Sequence, residues 1–192
     1  AMSMDDAFAE MLRSVSESLD AFNVPYAVTG SIASSIHGEP LASQDVDICL
    51  RMSAEQAGEL AKRLPDRFYR SASALREAAQ THGMANLIDT NTGLKVDLSF
   101  LAPGAFHDSV LARRAKITYS AGPSAFWVVS PEDVILMKLV WRRETRSDKQ
   151  WENALSVAKV RRVALDWAYM NNWSSRLGVE NDMDRLRRDA GL

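Results

Sequence analysis

Three aspartates carry the clearest chemical signal in this sequence. Asp45 and Asp47 lie in the run Asp45–Leu50 (DVDICL), and Asp97 lies in the later run Leu94–Phe100 (LKVDLSF). Polar and apolar residues alternate around these acids, which predicts strands, so Asp45 and Asp47 should project from one strand face about 7 Å apart. Carboxylates on one face repel each other unless a cation lies between them, and a carboxylate on a core-like strand is seldom left unpaired. The three acids therefore predict a site for Mg²⁺ or Mn²⁺.

A Gly-Ser pair precedes the acids. Tyr26–Thr29 (YAVT) predicts a short apolar strand and Ile32–His37 (IASSIH) predicts one or two helical turns, so Gly30 and Ser31 should form the turn between them. The start of a helix offers free backbone N–H groups and the positive end of the helix dipole to an anion. Carboxylates for a metal beside a phosphate-binding turn indicate chemistry on a nucleoside triphosphate.

The elements that must position these residues follow from hydrophobic spacing and turn signals. Residues 4–22 have the apolar spacing of an amphipathic helix, and Ser53 to Gln56 form a capping box that begins another. A hairpin is predicted around residues 90–93, which are rich in turn formers. Ser130, followed by Pro131 and two acids, marks the start of a further helix. The remaining predictions are strands at 68–69, 115–119 and 126–129, helices at 73–81, 150–159 and 163–174, a charged break at 142–149, and one weak helix in the tail from 178 to 192.

Composition restricts the class of protein. Of the 192 residues, 46% are hydrophobic and 25% are charged, as in an ordinary globular protein with a substantial core. No apolar run approaches the ~18 residues of a membrane span, and Asp5, Asp6 and Glu10 stand where a secretory signal would be basic. Cys49 is the single cysteine, so no internal disulfide can form. We therefore expect a cytoplasmic protein without a membrane segment.

The net charge of −2 is unevenly distributed. Residues 1–135 carry 11 basic and 17 acidic side chains, whereas residues 136–192 carry 12 basic and 8 acidic ones. A basic C-terminal region could contact a nucleic acid, but an excess of this size is more often a solvated helix face.

The ordered pattern of strand, Gly-Ser turn, short helix, paired acids and a third acid resembles the DNA-polymerase-β-like nucleotidyltransferase superfamily. It is most similar to small bacterial members, including those of toxin–antitoxin and abortive-infection systems, over roughly residues 5–160. The resemblance implies an α+β nucleotidyltransferase fold, with a mixed β-sheet flanked by helices and a helical C-terminal extension. We expect a nucleotidyltransferase core over residues 1–129 and a helical region packed on it over residues 130–192.

The resemblance also implies roles for individual residues. Gly30 and Ser31 would contact the triphosphate, whereas Asp45, Asp47 and Asp97 would hold two divalent metals and act as the catalytic acids. Asp97 would also accept the proton of the attacking hydroxyl.

Further candidates are Ser43 and Lys138, as additional nucleotide contacts. Many relatives carry Arg-x-Thr shortly before the paired acids. Here Leu41 replaces the arginine, and Ser43 supplies only the hydroxyl. Lys95, Arg113 or Lys138 would then have to supply the missing cation. For Lys138 the alternative is a lysine whose stem is covered by a buried helix.

Two weaker candidates have more ordinary interpretations. His37 ends the short helix and could face a nucleotide, although contact with nearby backbone is the favoured interpretation. Cys49 is predicted to be a core residue.

The predicted function is transfer of a nucleoside monophosphate from a nucleoside triphosphate to a hydroxyl acceptor, with release of pyrophosphate. The acceptor is open between a small molecule, a tRNA and a protein side chain, and the oligomeric state is open between a monomer, a homodimer and a complex with a partner protein. The alternative is a weak or inactive relative that binds a nucleotide or a partner as a regulatory module, for example in a toxin–antitoxin pair. All three acids favour the enzyme, whereas the absent arginine favours the module.

Overall fold

The computed structural model describes residues 4–40, 43, 45–118 and 125–192. In this part of the chain, seven strands and nine helices form. The strands are β1 (Tyr26–Thr29), β2 (Asp45–Leu50), β3 (Phe68–Tyr69), β4 (Met84–Asp89), β5 (Lys95–Phe100), β6 (Ala115–Thr118) and β7 (Ala125–Val128). The helices are α1 (Met4–Ala21), α2 (Gly30–His37), α3 (Ala54–Arg63), α4 (Ala72–Thr81), α5 (Ala105–Arg113), α6 (Pro131–Thr145), α7 (Asp148–Arg161), α8 (Trp167–Leu177) and α9 (Glu180–Asp189).

The chain separates into two compact units. The sheet unit comprises residues 1–28 and 43–128, and the helical unit comprises residues 29–42 and 129–192. The helical unit thus contains α2 from the N-terminal part of the sequence as well as the C-terminal helices. None of the helices in the described residues is both long and apolar enough to cross a membrane.

The strands form one mixed sheet in the order β3-β4-β5-β2-β1-β7-β6. The pairs β2–β5 and β1–β7 are parallel, whereas β3–β4, β4–β5 and β6–β7 are antiparallel. The predicted hairpin is confirmed as β4 and β5, with Gly93 at the left-handed φ of 75° that favours glycine in a tight turn. The fold class predicted from the sequence, a mixed sheet with flanking helices, is therefore confirmed.

One face of the central strands is buried in the sheet unit. Val46 and Ile48 of β2 and Val96 and Leu98 of β5 have no exposed surface, and α4 packs on β4 and β5. The predicted capping box begins α3, where Ser53 and Gln56 exchange side chain–backbone hydrogen bonds of 3.1 and 2.9 Å. The residues that alternate with the buried ones point to the other face, which is where the aspartates lie.

The helical unit is built around α6, which packs on α2, α7 and α8. Ser130 caps α6 as predicted: its hydroxyl accepts a hydrogen bond from the backbone N–H of Asp133 at 3.1 Å. The buried carboxylate of Asp133 also accepts hydrogen bonds of 2.7 Å from the hydroxyls of Ser130 and Tyr169. These bonds join α6 to α8 and compensate for the burial of the carboxylate.

The largest differences from the predicted helix boundaries are at the end of α6 and the start of α8. Helix α6 continues to Thr145, into the predicted charged break, because Arg142 lies over the ring of Trp151 at 5.0 Å and pairs with Asp182 at 3.1 Å. Helix α8 begins at Trp167 rather than at residue 163, because the side chain of Asp166 caps it. Residues 162–164 form a 3₁₀ turn instead. The end of the predicted strand at residue 119 lies outside the described residues.

Candidate active site

The three predicted acids lie on one face of two adjacent strands. Strands β2 and β5 run parallel, with Asp45 paired to Lys95 and Asp47 paired to Asp97. Paired residues on neighbouring strands project to the same side of a sheet, about 5 Å apart. Asp45 is exposed and Asp47 and Asp97 are half-buried, in contrast to the fully buried residues between them. The structure therefore brings Asp45, Asp47 and Asp97 together on the open face.

Lys95 lies among these acids. Its Nζ atom is 3.0 Å from Oδ2 of Asp97, a hydrogen-bonded ion pair, and 3.9 Å from Oδ2 of Asp45, which is too far for a hydrogen bond. The hydrogen bond from Lys95 to Asp97, with smaller contributions from the charges of Asp97, Asp45 and Asp47, raises the pKa of Lys95. The ammonium of Lys95 thus balances part of the negative charge of Asp45, Asp47 and Asp97.

The donor set suits a hard divalent ion, although it is not arranged as a metal centre. Three carboxylates supply oxygen ligands of the kind that Mg²⁺ prefers, and the position of Lys95 Nζ shows that one cation can approach Asp45 and Asp97 together. In the described residues, no group of three or more His, Cys, Asp or Glu side chains is placed to hold a metal ion. Metal binding by the three acids stays a prediction, and it would require Lys95 to move.

Ser43 lies just before β2 in the sheet unit. Its hydroxyl donates a hydrogen bond of 2.9 Å to the backbone carbonyl of Asp45. This bond supports the start of the acid-bearing strand, so the structure gives Ser43 a local backbone role. Its predicted contact with a nucleotide stays a prediction. Leu41, which stands where many relatives have an arginine, lies outside the described residues.

The Gly-Ser turn belongs to the helical unit, where it begins α2. Gly30 has a φ of 63°, a left-handed conformation that favours glycine, and it follows Thr29 at the N-cap. Thr29 makes no side-chain capping bond, and the first turn of α2 contains no acidic residue. The first N–H groups of the helix are therefore without the side-chain cap that often satisfies them, which suits an anion beside Ser31.

Two other candidates in the helical unit are buried. Lys138 lies on α6 with 4% of its surface exposed, so more than its stem is covered, and its contact with phosphate stays a prediction. His37 ends α2, where Nε2 lies 2.7 Å from the carbonyl of Val129 and Nδ1 lies 3.1 Å from Nη2 of Arg161. Burial lowers the pKa of His37, and the charge of Arg161 lowers it further, against the opposing effects of the Val129 carbonyl and Glu132. His37 thus contacts backbone, although the carbonyl belongs to a segment distant in sequence and not to the local backbone that was the favoured interpretation. Cys49 is buried, as predicted.

Two solved structures resemble this chain over nearly its whole length. One is an antigenic nucleotidyltransferase-like protein from Paracoccidioides brasiliensis, with 13% identity and a TM-score of 0.53, covering 94% of this chain and 91% of that one. The other is the antibiotic-resistance factor ANT(2'')-Ia, with 11% identity and a TM-score of 0.57, covering 95% of this chain and 99% of that one. This chain has a nucleotidyltransferase-like fold.

The structural likeness confirms, at the level of the fold, the resemblance inferred from the ordered motifs. No protein family model matches the sequence, and no curated protein matches it. A nucleotidyltransferase-like fold can host different activities, so the function has to be argued from the site.

Sequence reasoning left the cation that would hold phosphate open among Lys95, Arg113 and Lys138, and that role stays a prediction. The structure shows Lys95 paired with the acids, and the signal for this was present in the sequence, because Lys95 and Asp97 are two positions apart on one strand. The proximity of Lys95 to Asp45 had no local signal, since it depends on which strand lies beside β5.

Proposed function

We propose that this protein is a metal-dependent nucleotidyltransferase that moves a nucleoside monophosphate from a nucleoside triphosphate to a hydroxyl acceptor. The observation that supports this function best is the placement of Asp45, Asp47 and Asp97 on one open face of the paired strands β2 and β5. Three half-exposed or exposed carboxylates on one face make a poor structural cluster, because like charges repel. Their oxygens are of the kind that Mg²⁺ or Mn²⁺ binds beside a polyphosphate, once Lys95 has moved away.

The three acids would have the following catalytic roles. The carboxylates of Asp45, Asp47 and Asp97 would hold the divalent metal. When bound, the metal would lower the pKa of the acceptor hydroxyl and neutralise charge on the triphosphate. Asp97 would accept the hydroxyl proton as general base. The hydroxyl oxygen forms a bond to the α-phosphorus, the bond from that phosphorus to the bridging oxygen breaks, and pyrophosphate leaves.

Gly30 and Ser31 are the residues that the resemblance implies for contact with phosphate. The start of α2 has backbone N–H groups without a side-chain cap, and Gly30 permits the left-handed conformation of this turn. Ser31 adds a hydroxyl at the same turn. Lys138 would add a positive charge, which requires its buried ammonium to reach the ligand.

A regulatory module without catalysis is the second candidate, and Lys95 is the observation that favours it. An internal ammonium already neutralises part of the charge of the acids, so the face is stable without a metal. Such a protein would bind a nucleotide or a partner, for example within a toxin–antitoxin pair, and would release no pyrophosphate. The acceptor is open between a small molecule, a tRNA and a protein side chain. The oligomeric state is also open.

The direct test is transfer of label from α-labelled nucleoside triphosphates to a cell extract in the presence of Mg²⁺. We expect a labelled product and pyrophosphate with the wild type, and neither with Asp47→Asn or Asp97→Asn. Asp66→Asn is the matched control, because Asp66 is an exposed aspartate of the same unit away from the acid-bearing strands. If either active-site variant retained wild-type turnover, the assignment of the acids would be wrong.

Thermal unfolding separates the enzyme from an inert scaffold. A ligand that binds only the folded state stabilises it and raises the melting temperature. At a ligand concentration of a hundred times the dissociation constant, the gain in the free energy of unfolding is about 2.7 kcal/mol. We expect Mg²⁺ with a non-hydrolysable triphosphate to stabilise the wild type and to leave Asp47→Asn unchanged. Stabilisation without any labelled product would support the regulatory module instead.

A further inference from the structure

Lys95 has an unusual position for a surface lysine. It lies on β5 in register with Asp45, two residues before Asp97, and its side chain is 36% exposed. Its Nζ donates a hydrogen bond to Asp97 at 3.0 Å and lies 3.9 Å from Asp45. The side chain therefore crosses the open face towards two of the three acids, instead of extending into water.

This position conflicts with metal binding. A carboxylate oxygen that accepts a hydrogen bond from an ammonium has fewer lone pairs available to a metal, and a divalent cation placed beside the ammonium would be repelled by it. Lys95 must therefore leave Asp97 before a divalent ion can bind the acids fully. Because the lysine stem is flexible and partly exposed, this movement needs only rotamer changes.

We propose that Lys95 is an exchangeable internal counter-ion that makes divalent metal and nucleoside triphosphate bind cooperatively. This inference rests on the proposed function, because it assigns a triphosphate as the second ligand. Without a triphosphate, the ammonium competes with the metal for Asp97 and Asp45. When a triphosphate binds, its oxygens receive the displaced ammonium, and the acids become available to the metal. Lys95 is thus a positioning residue that acts through the acids.

The consequence is a measurable coupling between the two ligands. Each ligand should raise the affinity of the other by the same factor, since coupling between binding equilibria is reciprocal. In the wild type, metal alone should bind weakly and metal with a triphosphate should bind more tightly. Removing the ammonium while keeping the stem should strengthen the binding of metal alone and reduce the coupling.

The experiment is a titration of the full chain with Mn²⁺, with free Mn²⁺ followed by electron paramagnetic resonance, with and without a non-hydrolysable triphosphate, and the Mn²⁺ that the triphosphate binds by itself is subtracted from a titration without protein. The main variant is Lys95→Met, and Lys95→Gln is a second neutral variant with a polar end. Lys116→Met is the matched control, because Lys116 is an exposed lysine on β6 of the same sheet. Thermal unfolding of each variant verifies that the chain is folded.

We expect Lys95→Met and Lys95→Gln to bind Mn²⁺ alone about tenfold more tightly than the wild type, and to lose most of the tightening caused by the triphosphate. Lys116→Met should behave as the wild type. If both Lys95 variants bind Mn²⁺ alone no more tightly than the wild type, the counter-ion proposal is overturned. The proposed function still stands in that case if Asp97→Asn abolishes the binding of Mn²⁺ with the triphosphate. If the folded wild type binds no Mn²⁺ even with the triphosphate, both proposals fail.

Discussion

Asp89 and Asp97 are aspartates on the neighbouring strands β4 and β5, and they differ in burial and in hydrogen-bond partners. Asp89 ends β4 and is fully buried, and its carboxylate accepts hydrogen bonds from Arg67, from the backbone N–H of Asn91 at 3.0 Å and from the hydroxyl of Thr92 at 3.0 Å. The side chain of Asp97 is 17% exposed on the open face and accepts a hydrogen bond from the flexible ammonium of Lys95.

The comparison shows that the hydrogen-bond donors around a carboxylate decide whether it can bind a ligand. Arg67 contacts Asp89 through two nitrogens and also pairs with Glu10 at 2.7 Å, so the Arg67–Asp89 cluster joins α1, β4 and the residues before β3. A carboxylate with this many donors is held in place and has little capacity for a ligand. A carboxylate whose partner is a half-exposed lysine can exchange that partner. Asp89 is therefore a structural carboxylate, whereas the proposed catalytic role of Asp97 stays a prediction.

The largest expected effect is on catalysis. Asp97→Asn should lower nucleotidyl transfer by about 10³-fold, because it removes both a proposed metal ligand and the proposed general base. It should change the free energy of unfolding by less than about 1 kcal/mol, since the side chain is partly exposed and its ion pair is not deeply buried. Transfer assays and urea unfolding of the same preparation measure both quantities. A variant that unfolds much more easily would place Asp97 in the same structural class as Asp89.

Arg67→Met should produce the reverse result. It leaves the buried carboxylate of Asp89 without its cation, which should cost about 3 kcal/mol of stability and about 9 °C in melting temperature. Arg13→Met is the control, because the Arg13–Glu17 pair is exposed and should contribute less than about 0.5 kcal/mol. Equal losses in the two variants would remove the distinction between buried and exposed pairs.

Acid should reduce the contribution of the Arg67–Asp89 cluster. Burial alone would raise the pKa of Asp89, but hydrogen bonds from Arg67, Asn91 and Thr92 outweigh it and hold the pKa below its ordinary value. A carboxyl with a lowered folded-state pKa stabilises the fold above its unfolded pKa, near 4, and loses that contribution as the pH falls through the folded value. The difference in unfolding free energy between wild type and Arg67→Met should therefore shrink below about pH 4. Urea unfolding between pH 7 and pH 3 measures it, and a constant difference would exclude the ionised carboxylate as the cause.

The smallest expected effect is at Thr92. Its hydroxyl donates to Asp89 and accepts a 3.2 Å hydrogen bond from the backbone N–H of Leu94, so Thr92→Val should cost about 1 kcal/mol. Nucleotidyl transfer should stay unchanged, because the β4–β5 turn would keep Gly93 and its backbone bonds to Asp89. A loss of transfer larger than the loss of stability would connect the turn to the acids and weaken the division between the two aspartates.

Local signals explain why much of the fold was predictable. The capping box at Ser53 and the cap at Ser130 act within three residues, and both helices begin where these signals predict. The turn formers between β4 and β5 likewise act over a short distance. The prediction was wrong at the end of α6, where Arg142 packs on Trp151 of the next helix and lets the helix continue past a charged sequence.

The Arg67–Asp89 cluster had no signal in the sequence that separated it from the other acids. In the sequence, Asp89 directly precedes the turn formers at residues 90–93, which is a common place for an aspartate. Its role depends on Arg67, which lies on a different segment, and on Glu10 of α1. Contacts of this kind form only when the elements pack.

The sequence by itself determined which elements form and that Lys95 shares a strand face with Asp97, because side-chain alternation is a property of the strand alone. Only the tertiary structure decided that β5 lies beside β2, so that Asp47 pairs with Asp97 and Lys95 with Asp45. The physical reason is that strand order depends on the packing of apolar faces from distant parts of the chain. The position of a charge relative to its neighbours therefore emerges only in the assembled sheet.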